Sequence, residues 1–89
     1  MTAQIQKKVT ITGRVQGVFY RAETKKAALL LGIKGYVKNL PDGSVEALFQ
    51  GELKLVTQMI EWCHKGPALS KVEKIHAEEI STPLYFKTF

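Results

Sequence analysis

The sequence predicts an α+β domain in which helices cover one side of a small antiparallel sheet, on three observations. Ile5, Lys7, Val9 and Ile11 alternate with Gln6, Lys8, Thr10 and Thr12, the period-two pattern of a half-buried strand. Leu53, Val56, Ile60 and Cys63 recur at helical spacing, giving an amphipathic helix. Pro41-Asp42-Gly43 separates two further strand-like runs and turns the chain between them, because proline presets one dihedral and glycine tolerates the positive one.

The remaining elements follow in chain order. After the first strand, Tyr20 to Leu31 carries Ala22, Ala27, Ala28, Leu29, Leu30 and Leu31, all compatible with a helix. Gly32 suits the left-handed position just beyond it. Ile33 to Lys38 is a second strand and Ser44 to Gln50 a third, joined as a hairpin. Gly51 is expected to break the third strand, and the second helix ends before Gly66-Pro67. Val72 to Glu79 forms a fourth strand with weaker patterning. Beyond Pro83, Leu84 to Phe89 is expected to add a short edge strand.

Strand, helix, strand, strand, helix, strand is two split βαβ units. That order builds a ferredoxin-like α/β sandwich, with four or five antiparallel strands and both helices on one face. In this topology the first two strands run in the same direction with one strand between them. Asn39, closing the second strand, therefore stands about 10 Å from the loop that follows the first.

Composition bounds the function. The 89 residues make one small domain spanning 1–89, with 45% hydrophobic residues and scattered charge. No apolar run approaches the ~20 residues of a membrane span, and Met1-Thr2-Ala3-Gln4 does not open a signal peptide. Cys63 is the sole cysteine, so no internal disulfide forms and a reducing cytoplasm is expected. A net charge of +5 favours anionic partners.

The most informative segment is Gly13-Arg14-Val15-Gln16-Gly17-Val18-Phe19-Tyr20-Arg21, lying between the first strand and the first helix. A glycine turn here can aim several backbone N–H groups at one point, and the helix beginning there adds the positive end of its dipole. That combination suits an anion such as phosphate, to which Arg21 can add a forked guanidinium. Gly13-x3-Gly17 matches neither the Gly-x4-Gly-Lys-Ser/Thr phosphate loop nor the Gly-x-Gly-x-x-Gly dinucleotide fingerprint.

The same segment resembles the acylphosphatase signature Gly-x-Val-Gln-Gly-Val-x-Phe-Arg. Residues 31–46, with Gly35-Tyr36-Val37-Lys38-Asn39 at their centre, resemble that family's second signature, Gly-aromatic-Val-x-Asn. Gly66-Pro67-Ala68 followed by Val72 is similar to its segment after the second helix. Two positions depart mildly: Tyr20 stands where phenylalanine is usual, and Tyr36 where tryptophan is common. The resemblance implies metal-independent hydrolysis of a small-molecule acyl phosphate to a carboxylate and inorganic phosphate, with no cofactor. It also implies that Arg21 and the backbone of Gln16, Gly17, Val18, Phe19, Tyr20 and Arg21 bind the phosphoryl group, while Asn39 orients the attacking water.

Other residues read as structure. Cys63 falls on the apolar stripe of the second helix, and Trp62 packs at its edge. His64 and His76 have no partners that would complete a metal site. Lys7-Lys8 and Lys25-Lys26 read as solvated faces. Gln16 is expected to contribute its backbone N–H more than its side chain.

An RNA-binding alternative rests on Lys34-Gly35-Tyr36, which opens like the RNA-recognition signature. It fails at Val37 and Lys38, and it falls on the second strand rather than the third. Nucleic-acid and membrane partners are not expected. A second alternative is a phosphate-holding or carbamoyl-phosphate-handling module. The run from first strand to last favours a free-standing, monomeric enzyme.

Overall fold

The computed structural model describes residues 4–89; the opening tripeptide of the segment read above for a signal sequence lies outside them. The elements are β1 (Gln4–Arg14), α1 (Tyr20–Leu30), β2 (Lys34–Asn39), β3 (Val45–Glu52), α2 (Leu53–Lys65) and β4 (Lys71–Glu79). They form one four-stranded sheet in the order β2-β3-β1-β4, with every neighbouring pair antiparallel. This is the ferredoxin-like arrangement expected, with β1 and β2 parallel across an intervening β3.

The period-two pattern decides which face is buried. Val9 and Ile11 of β1 and Val45, Ala47 and Phe49 of β3 are wholly excluded from solvent. Beneath the helices they meet Val56, Met59 and Cys63 of α2 and Ala28 of α1. α1 lies over β2, while α2 crosses β1, β3 and β4. Burying one such aliphatic side chain contributes about 1.5–3 kcal/mol, so this layer is the main source of stability.

Several details differ from the sequence expectation. Gly51 does not break β3: it pairs with Ile5, and the strand runs directly into α2. A Cβ at this position would meet Ile33 and Val56 at 3.7–3.8 Å, ordinary van der Waals contact, so neither crowding nor backbone strain demands glycine here. On α2, Met59 takes the buried place and Leu53 is exposed. On α1, Tyr20, Thr24 and Ala28 face the core, whereas Leu29 and Leu30 face solvent. Thr24 meets its burial by donating its hydroxyl to the Tyr20 carbonyl at 2.7 Å.

The terminal segment forms no fifth strand. The Gln6 amide donates to the carbonyls of Ile80 and Thr82, and its oxygen accepts from the Leu84 N–H. Gln50 donates to the Leu84 carbonyl. These side chains stand on the sheet face away from the helices, so the tail crosses that face instead of extending the ladder. Phe86 packs against Tyr36, with ring centroids 6.1 Å apart. At the β2 edge the Gly35 N–H donates to the Thr88 carbonyl at 3.2 Å. Phe89 then enters the core and stacks on Phe49 at 5.8 Å.

Candidate active site

β1 shifts register against β4 between Thr12 and Gly13 and stays paired through Arg14, after which the loop to α1 leaves the sheet. Gly17 (φ +73°) and Phe19 (φ +65°) both take left-handed backbone conformations. Glycine does so freely, whereas an aromatic residue there stores roughly 1–2 kcal/mol of strain. Phe19 is the N-cap of α1 and offers no side-chain cap. The first helical bond runs from the Glu23 N–H to the Phe19 carbonyl. Among the described residues, the N–H groups from Gln16 to Ala22 donate to no protein acceptor. A helix start of this kind leaves donors free for an anion.

Of this run, Gly17, Phe19, Tyr20, Arg21 and Ala22 line a pocket of about 280 Å³ together with Val15 and Asn39, whereas Gln16 and Val18, expected from the sequence to belong to the phosphate loop, do not line it. Arg21 comes from the first turn of α1 and Asn39 from the last position of β2, which pairs with Val45. Arg21 makes no ion pair among the described residues. The pocket therefore gathers one guanidinium, one neutral amide and the loop backbone. Val15 and Ala22, not singled out from sequence, complete its walls. Arg14, at the near end of the loop, sits opposite Lys71 in the β1–β4 ladder and does not line the pocket.

Two further loop residues, Gln16 and Val18, lie outside the pocket lining. The Gln16 side-chain amide donates to the carbonyls of Leu40 and Ser44, both at 2.8 Å. It ties the loop to the β2–β3 turn immediately after Asn39, a role its backbone N–H alone could not fill. That turn is itself closed by Leu40 N–H to Ser44 and by Gly43 N–H to Leu40. The Asp42 carboxylate accepts from the Ser44 hydroxyl and N–H, which holds its carboxyl below the usual range. Val18 is buried in the core cluster.

Tyr20 turns its ring inward. The hydroxyl donates to the Cys63 carbonyl at 2.7 Å, and the ring lies 5.9 Å from that of Trp62. Cys63 is in the last turn of α2, where carbonyls lack helical partners, so Tyr20 caps α2 from the start of α1. Burial raises the Tyr20 phenol above its ordinary value, reinforced by Cys63. Burial likewise pushes the Cys63 thiol up to about 12. On the opposite sheet face Tyr36 donates to the Glu46 carboxylate at 2.8 Å, and Lys38 reaches the same carboxylate at 3.5 Å. Neither tyrosine hydroxyl is directed at the pocket.

The acylphosphatase family profile matches residues 7–89. An acylphosphatase of Rubrobacter xylanophilus is 50% identical over 72 residues, which are 81% of this chain and 66% of that protein. One from Syntrophobacter fumaroxidans is 52% identical over 80% of this chain and 73% of its own length. The crystal structure of acylphosphatase from Bacillus subtilis superposes with a TM-score of 0.89 at 32% identity, covering 92% of this chain and 91% of that one. Full-length HypF, in a phosphate- and nucleotide-bound form, superposes with a TM-score of 0.90 at 26% identity, over all of this chain but 12% of that protein. The family profile over nearly the whole chain, the half-identical relatives and the superposed crystal structure agree on one group of hydrolases: the chain belongs to the acylphosphatase family, enzymes that split acyl phosphates into a carboxylate and inorganic phosphate.

Proposed function

We propose that the pocket holds the phosphoryl group of an acyl phosphate on the Gln16–Arg21 backbone and the Arg21 guanidinium, while Asn39 aims the attacking water. The observation that carries this reading is the common lining of one pocket by Gly17, Arg21 and Asn39. An acyl phosphate is a mixed anhydride whose leaving carboxylate is a weak base, so expulsion demands no strong general acid. What remains is to neutralise the equatorial oxygens and to position water in line with the leaving group. Fixed N–H dipoles and a bidentate guanidinium perform the first task. The Asn39 amide, donor and acceptor together, can hold water by its oxygen. The proposed reaction uses no metal, and the protein acts as a monomer in a reducing cytoplasm on a small-molecule substrate.

Hydrolysis of acetyl and benzoyl phosphate in chelator tests this. Arg21→Lys loses the fork and is expected to fall by about 10²–10³ in kcat/KM, and Asn39→Ala to fall by a similar factor in kcat. Near wild-type turnover by a folded Arg21→Lys variant would refute the assignment. A second reading, a phosphate-holding module, is favoured by the likeness to a small part of HypF. Inorganic phosphate bound without turnover of either substrate would select it.

A further inference from the structure

A second concavity adjoins the pocket. Phe19, Ala22, Glu23, Pro67, Ala68 and Leu69 line an open trough of about 410 Å³. Phe19 and Ala22 line both spaces, so the two lie side by side against the same residues. Phe19 is 71% exposed and Leu69 66% exposed, which leaves a large aromatic and a large aliphatic side chain in water beside one opening. Apolar surface left uncovered next to a polar site is a mark of ligand contact.

Sheet order places the trough relative to the chemistry. Along the rim where β1 ends, the neighbours are the end of β2 with Asn39, the start of β3, the end of β1, and the start of β4 at Lys71. Asn39 thus flanks the loop on one side, and residues 67–69, leading into β4, flank it on the other. In-line displacement puts the leaving group opposite the attacking water. With water on the Asn39 side, the leaving carboxylate and its carbon substituent emerge toward Phe19, Ala22 and Leu69.

We propose that this trough is the acyl subsite, in which Phe19 and Leu69 hold the carbon portion of the substrate, so that the enzyme favours uncharged aromatic acyl groups over acetyl. The proposal rests on the hydrolase reading above. Glu23 on the rim adds a selection of its own, because its carboxylate repels acyl groups that carry a second negative charge. Phe19 and Leu69 are specificity residues: they touch the substrate away from the reacting atoms.

The test compares kcat/KM for benzoyl and acetyl phosphate in the wild type, Leu69→Ala and Phe19→Ala. Losing methylenes from an open trough discriminates less than in a closed pocket, so the benzoyl-to-acetyl ratio is expected to fall about fivefold in Leu69→Ala and about tenfold in Phe19→Ala. In Leu69→Ala, acetyl phosphate turnover and inhibition by inorganic phosphate stay at wild-type values, while inhibition by benzoate weakens. An unchanged ratio in both variants, or equal loss on both substrates, overturns the proposal. A wild type that binds phosphate but turns over neither substrate defeats the hydrolase reading instead. Benzoate binding to the phosphate-loaded protein then decides the trough: weaker binding in Leu69→Ala upholds it, and equal binding overturns it.

Discussion

Tyr20→Phe separates the architecture beneath the pocket from the chemistry within it. The substitution removes one oxygen and keeps the ring, its packing against Trp62 and the backbone N–H at the helix start. The oxygen removed is the partner of the Cys63 carbonyl, which accepts no other hydrogen bond among the described residues. An interior carbonyl left without its donor costs about 1–3 kcal/mol, against about 1 kcal/mol for a neutral bond that water can replace. The Tyr20 ring is wholly excluded from solvent, so about 1.5 kcal/mol is expected. For a domain of this size each kcal/mol shifts Tm by about 4–8 °C, giving a fall of about 6–12 °C. Thermal unfolding followed by far-UV circular dichroism measures it, with acyl phosphate turnover at 25 °C recorded alongside. Turnover should hold to within about threefold, because no group assigned to substrate is lost. A Tm unchanged to about 2 °C would show that the bond contributes nothing. A turnover loss beyond about tenfold would show that the hydroxyl acts in the pocket as well as beneath it.

Two further outcomes concern the half-buried Gln16 and the buried Cys63. Gln16→Ala cuts the tie between the loop and the β2–β3 turn. It should lower kcat by about 10–100-fold through misplacement while the chain stays folded; wild-type kcat in a folded variant would refute the positioning role. The Cys63 thiol, raised by burial from 9.0 to about 12, stays protonated in the folded chain where the unfolded chain has lost its proton. Stability is therefore fully present below about pH 9 and is lost as pH rises from there toward 12, at up to about 1.4 kcal/mol per pH unit. Urea unfolding from pH 8 to 11 checks the slope. Labelling of native Cys63 at a free-thiol rate at pH 8 would contradict its burial.

What the chain declares by itself is local. Alternation in β1, helical spacing in α2 and the Pro41-Asp42-Gly43 turn each depend on residues within a few positions of one another. Element order was legible for that reason, and with it the parallel relation of β1 and β2 that brings Asn39 toward the glycine loop. The loop was legible too, since its glycines, helix start and Arg21 are contiguous. Folding decided the long-range pairings. Gln16 meets Leu40 and Ser44 across 24 and 28 positions, and Tyr20 meets Cys63 across 43. No periodicity predicts which carbonyl lacks a donor, because that depends on where a distant helix ends. The tail shows the same limit: Leu84 to Phe89 has strand composition, yet Gln6 and Gln50 take its backbone groups and carry it across the sheet. Leu69, on its segment before β4, is an ordinary loop residue in the sequence. It becomes a wall of the acyl trough because β4 pairs with β1 and sets that segment beside Phe19.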